Sequence, residues 1–322
     1  MSVEQELSVQ NQEQIQSIPQ AQPIALKVRK YDKLQKDEIA FILFALTYQI
    51  IAAIVFYFYI NISSILLAFK LPTGEWSLET FKYSIQNLMD SEGALGIGVK
   101  NTTIFFVKDI LMIAWQFLIS YFFYKKIKGA RVFQMIFYIP GIISGVAMAN
   151  MFSSFITPSG PLGAILTKLG VERVPEFLAD SRYANTAMLI YTIWLGWAGN
   201  MLLFCGTLAR IPVELLESAR LDGITGGKEL TKIVLPLVWP TISTIIILTM
   251  TGFFGAGGPV LLFTKGEYKT WTIGYWLFDK IKYVGSAAYN EVSATGLIFT
   301  LIGAPIIMGL RWLMEKIPAV EY

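Results

Sequence analysis

Long apolar runs separated by short polar segments dominate the chain. Six runs reach the roughly 20 residues a helix needs to cross a hydrocarbon core. They lie near 39–60, 101–124, 132–156, 186–209, 241–263 and 294–314. The first extends toward Phe69, past a polar patch at Asn61, Ser63 and Ser64. None shows the strict alternation of a barrel strand, so helices are the reading. The pattern predicts an all-α polytopic membrane protein with six transmembrane helices over residues 37–322. Residues 1–36 precede them as a tail. Its first 23 residues are rich in Gln, Ser and Glu and lack an apolar core, so the tail reads as disordered and not as a signal peptide.

Composition agrees: 54% of the 322 residues are apolar and 15% are charged. There is no histidine and only one cysteine, Cys205. That excludes His-based triads, His zinc sites, histidine proton relays and an intrachain disulfide. No catalytic residue, metal site or nucleic-acid surface is expected. Charge sets the expected orientation. Five basic residues fall in the tail, four in the 2–3 loop, four in the 4–5 loop and two at the C-terminus, fifteen against ten on the other side. The short 2–3 loop, with Lys125, Lys126, Lys128 and Arg131 and no acid, weighs most. The positive-inside rule then predicts that both termini are cytoplasmic.

One polar segment stands out between spans 4 and 5, a cytoplasmic loop over 211–236. It contains Gly227-Lys228, but Glu229 follows and Asp222 stands where a phosphate-binding loop needs its first glycine. This chain is therefore not expected to bind ATP. Pro212 suits a helix start, Val213 to Asp222 are mostly good helix formers, and Gly223 suits a left-handed cap. A second short helix is expected from about Gly227 to Leu235, ended by Pro236. Arrangement alone does not separate a loop lying on headgroups from a docking element.

The spacing adds more. Glu217-Ser218-Ala219, three residues, Gly223, nine residues, then Ile233-Val234-Leu235-Pro236 resembles the EAA signature of permease subunits of ABC importers. Asp222 also matches, and Ser218 in place of alanine is the one departure. The resemblance implies a type I ABC importer permease fold in a bacterial or archaeal cell membrane. It implies that Glu217, Ser218, Ala219, Asp222, Gly223, Ile233, Leu235 and Pro236 form a coupling loop that docks on an ATPase. It also implies the partners: two ATP-binding subunits, a second homologous permease, and an extracellular solute-binding protein. This chain would hold no cofactor, with ATP and Mg on the partner ATPase, and membrane lipid around it. Further stretches, "YIPGIISGVAMANMF" (138–152), "GPLGAIL" (160–166) and "EYKTWTIGYWLFDKI" (267–281), resemble the carbohydrate branch, the maltose and glycerol-3-phosphate type. The implied substrate is a sugar or oligosaccharide.

Sugars are held by aromatic faces and neutral hydrogen-bonding groups. Tyr191, Trp194, Trp197 and Asn200 recur at three-residue spacing in span 4 and form a candidate cavity row. Thr251, Phe253 and Phe254 are further substrate-path candidates, and aromatic packing is the alternative for all of them. Pro140, Gly255, Gly257 and Gly258 are gate or hinge candidates. Gly141, Gly145 and Ala149 suggest a tight helix contact in span 3. Lys108 and Asp109 are the charges well inside a span, and their 100° separation predicts that they do not pair on one face. Lys108 lies within snorkelling reach of the outer end, Asp109 is expected to face protein or water, and a structural pair with another helix is expected over a substrate contact. Rival functions are an ABC importer for a non-sugar solute, an ion-coupled secondary transporter, and a membrane scaffold. No cluster of intramembrane arginines marks an anion path, and spans 1–3 and 4–6 show no inverted repeat.

Overall fold

The computed structural model describes residues 36–317. Helices carry most of it, and the described residues contain no strand, only an isolated bridge between Lys70 and Trp76. Five helices are long and apolar enough to cross a membrane, and a sixth span arises from a bent pair. The first helix, α1, runs Glu38–Ala68 and includes a wide π turn at Ala53–Tyr59. Its most apolar stretch has no residue buried against protein, as expected of a helix whose solvent is lipid. Chain clustering divides the protein at Ile60, so α1 up to that point is a unit of its own.

The second unit begins with the end of α1 and the short helix α2, Glu79–Met89. The centre of the unit is α3, Ala94–Tyr124. At 1.5 Å per residue it is about 46 Å long, more than the membrane core requires. Leu95, Phe105, Ile113, Phe117 and Tyr121 are buried along its length.

Span 3 departs from a straight 132–156 helix. It is built from α4, Ala130–Ile142, and α5, Gly145–Ile156, with α6, Pro161–Lys168, following. The two arms meet at 102°. Pro140 stays inside α4, and the chain breaks three residues later, where Ile143 and Ser144 adopt extended backbone. The expected tight contact at Gly141, Gly145 and Ala149 is only partly made. Ala149 is buried, whereas a β-carbon on Gly141 or Gly145 would meet no other atom within 4 Å. A small-residue stripe brings helices together only where another helix lies opposite, and here the break turns it away.

Span 4 is split as well, into α7, Ala184–Gly196, and α8, Met201–Leu208. Helix α9 follows at Val213–Leu221. Next comes α10, Gly227–Thr251, which corrects the expectation that Pro236 ends a short helix. A π turn at Leu230–Val234 precedes the proline, and Leu235 donates its N–H to the Leu230 carbonyl five residues back. Pro236 has no N–H to give the Lys232 carbonyl. The wider turn shifts the bonding pattern just before that gap, so the helix passes through it and becomes span 5. The far end is irregular: a 3-10 turn at Phe253–Gly255, extended residues, then the single turn α11, Val260–Phe263. The chain returns through α12, Ile273–Asp279, and α13, Tyr289–Glu315.

Polar side chains fasten α2 and the end of α1 to α13. Asn290 donates to the Leu67 and Lys70 carbonyls at 3.1 and 2.8 Å, Thr295 meets Ser84 at 3.1 Å, and Asn87 donates to Glu291 at 3.1 Å. The main core lies where α3, α8, α9 and α10 converge. Phe117, Tyr121, Phe204, Leu208, Leu216, Val234 and Val238 close it.

Candidate functional site

Helix α9 shows two faces. Leu216 and Ala219 turn inward at 4% and 6% exposure, and Leu216 joins the main core. Glu217, Ser218, Leu221 and Asp222 point outward. Ala219, small and buried, lets α9 approach its own bundle closely. Ile233, Leu235 and Pro236 are also half-buried, at the root of α10. Gly223 takes φ +77°. It donates its N–H to the Arg220 carbonyl, and Ile224 donates to the Ala219 carbonyl, at 3.0 and 2.9 Å. Those two bonds form a Schellman cap, which needs the left-handed conformation glycine adopts freely. The tip they create presents Leu221 at 89% exposure beside two carboxylates. At that exposure Leu221 is not packed against the described residues. Glu217 makes no ion pair among the described residues.

The expected path residues separate into four neighbourhoods. Tyr191 and Trp194 meet at 6.3 Å between ring centres and share a cluster with Phe152 of α5 and Phe263 of α11. Beside that cluster opens a cavity of about 360 Å³, lined by Ser153, Thr157, Glu176, Phe263, Glu267 and Tyr268 among others. Trp197 instead packs against Phe137 of α4 at 5.3 Å. Asn200 leaves the row because the helix unwinds over 197–200. Its Nδ2 donates to Gln116 Oε1 at 2.8 Å, while Gln116 Nε2 donates to the Gly196 carbonyl. Gln116, 4% exposed on α3, thus clamps the broken turn. A β-carbon on Gly199 would lie 2.9 Å from its Nε2, so a larger residue there would push the Gln116 amide out of place. Phe253 meets Phe106 edge-on and Phe254 meets Phe299 at a tilt, at 5.0 Å each, and Thr251 bonds its own helix at Leu248.

The hinge candidates also differ from one another. β-carbons on Gly257 and Gly258 would press on Thr272 and on Met188, each at 3.2 Å, whereas Gly255 faces open space. Lys108 and Asp109 pair with each other, contrary to expectation. Adjacent helix positions diverge at Cβ, but the four-carbon lysine stem spans the gap, and mutual neutralisation is the least costly state in lipid.

A family profile described as "Binding-protein-dependent transport system inner membrane component" matches residues 112–318. The chain belongs to that family. Relatives of this membrane permease family include the probable ABC transporter permease protein YesP of Bacillus subtilis, 27% identical over 49% of this chain and 51% of that protein. The multiple sugar-binding transport system permease protein MsmF of Streptococcus mutans is 26% identical over 58% of this chain and 64% of that one. The matched part thus spans half to under two thirds of these relatives. A chain from the crystal structure of a bacterial ABC transporter involved in the import of the acidic polysaccharide alginate superposes with a TM-score of 0.73 at 22% identity, covering 87% of this chain and 96% of that one. The two share a fold, and the chain is a transport subunit of the membrane.

Three residues of this family member escape a sequence reading. Gln116 and Leu221 are an ordinary polar residue in a span and an ordinary leucine in a loop. Glu229 looks like a solvated loop charge, yet it is 1% exposed. Its Oε1 and Oε2 accept from Lys125 Nζ at 2.8 and 3.0 Å, and Tyr121 Oη donates at 3.2 Å. Arg220 Nε stands 3.7 Å away.

Proposed function

We propose that the chain is the permease subunit of an ATP-driven importer that takes a sugar or oligosaccharide from an extracellular binding protein. The observation that carries this reading is the tip of α9. In a member of a binding-protein-dependent family, an exposed leucine, two exposed carboxylates and a glycine-capped turn stand on a rigid core. Such a tip fits a cleft on a cytosolic ATPase, where Leu221 would be an anchor and Glu217 would pair with a basic group. Both termini lie on the cytoplasmic side with it. Two ATPase copies bind ATP and Mg, and a second related permease completes the path.

Sugar is supported by three things. Relatives bear names such as multiple sugar-binding and maltose/maltodextrin permease, and a structural neighbour belongs to an alginate importer. The ring cluster around Tyr191 and Trp194 adjoins a cavity with polar lining, which matches the two-faced chemistry of a sugar. Closure of the ATPases would draw the docking helices together and turn the path outward.

Purification of the tagged full chain from native membranes in mild detergent tests this. The expected result is an ATPase, a second permease and a solute-binding protein in the eluate, with the binding protein then retaining a sugar in a ligand screen. Recovery of the chain alone, or a binding protein that retains only amino acids, would overturn the reading.

A further inference from the structure

Glu229 joins three elements that the transport cycle must keep in register. It sits in the first turn of α10, the root of span 5. Lys125 and Tyr121 reach it from the last turns of α3. Arg220 reaches it from the docking helix. The three contacts are unequal. The Lys125 pair is bidentate, short and shielded. The Arg220 contact is long, and the Arg220 side chain is 50% exposed. Arg220 also lies three residues after Glu217 on α9, and next to the protruding Leu221. The cluster carries two cations for one carboxylate, so one positive charge is only partly neutralised. It faces the surface where the docking tip emerges.

We propose that Glu229 is an internal latch that sets the angle of the docking helix, with Arg220 as its movable arm. The Lys125–Glu229 pair fixes α3 to α10. Arg220 exchanges between Glu229 and an acidic side chain on the docked ATPase. When the ATPase takes Arg220, α9 is released from the root of span 5. When Arg220 returns, α9 and span 5 move as one body. Glu229 is thus a positioning residue that converts ATPase closure into movement of span 5. A long ion pair is suited to exchange, because the Coulomb attraction of a half-exposed pair is weak and a second carboxylate competes with it. The proposal rests on the importer reading and adds to it the path by which force enters the bundle.

The test uses the complete importer reconstituted in lipid, with three variants: Glu229→Gln, Glu229→Asp and Arg220→Gln. Three quantities are read: the amount of ATPase that co-purifies, ATP hydrolysis with and without solute-loaded binding protein, and solute moved per ATP. Glu229→Gln is expected to keep the co-purified ATPase, to lose at least about tenfold of the stimulation by binding protein, and to move less solute per ATP. Glu229→Asp keeps the charge and is expected to recover part of both. Arg220→Gln removes a half-exposed group with one weak internal contact, so it folds, and it is expected to uncouple in the same direction. A purely structural Glu229 would lower the yield of complex and leave solute per ATP unchanged, which would overturn the proposal. Unchanged coupling in Arg220→Gln would overturn it even if Glu229→Gln failed to assemble. Failure of the unmodified chain to bring down any ATPase would instead defeat the importer reading.

Discussion

The two ends of α10 are built to opposite specifications. Its root lies in the main core, where Val234 and Val238 are fully buried among Phe204, Leu208 and Leu216, and Glu229 ties it to α3. Its far end dissolves at Gly252 into a 3-10 turn, an extended stretch and a single helical turn. One end can transmit a push from the docking helix, and the other can yield to it. Burial makes the difference. In lipid, helices hold together through close packing and satisfied polar groups, not through exclusion of water. The root has both. The far end has glycines, whose missing side chains leave the backbone less restrained.

The root should be the more easily damaged. Phe204 is fully buried and meets Phe117 edge-on at 5.5 Å. Phe204→Ala is expected to destabilise the folded chain by about 3–5 kcal/mol, read as a lowered midpoint of thermal unfolding in detergent. A small change would mean that the root is not the rigid end.

Glu217→Lys is next. It leaves the root intact and removes the charge offered to the ATPase, so ATPase binding should weaken by about 2–5 kcal/mol while thermal stability holds. A matched drop in stability would show that Glu217 belongs to the fold and not to the interface.

The far end should respond least, and unevenly. Gly258→Ala presses on Met188 and Phe105 and is expected to destabilise by about 1–3 kcal/mol. Gly255→Ala meets open space and should stay within about 0.5 kcal/mol in stability. If Gly255 is the hinge, that same variant slows uptake without a change in unfolding midpoint. Equal effects at both glycines would remove the distinction between packing and hinge positions.

These regions were unequally visible in the sequence. The helix Val213–Leu221 and its cap were legible because their constraints are local: Gly223 is left-handed at the helix end, and the spacing from Glu217 to Pro236 lies within one segment. The six apolar stretches were legible because lipid imposes length and composition on each span separately. Glu229 was not, because its partners Tyr121 and Lys125 stand 108 and 104 positions away. The same holds for Gln116 and Asn200, separated by 84 positions, whose bond depends on an unwound turn that periodicity treats as helix. Pro236 misled for a local reason, since a π turn before it absorbs the missing donor. Lys108 and Asp109 misled because Cβ directions ignore the reach of a long side chain.

The central claim is that the tip of α9 enters an ATPase, and a photo-crosslinker tests it most directly. A photoreactive aromatic residue would replace Leu221 in one preparation and Leu301, 66% exposed on the lipid-crossing α13, in another. After illumination of native membranes, the account predicts a Leu221-dependent adduct with an ATP-binding polypeptide, identified by mass spectrometry, and none from position 301. Lipid adducts alone from both positions would place α9 on the headgroups and contradict the account.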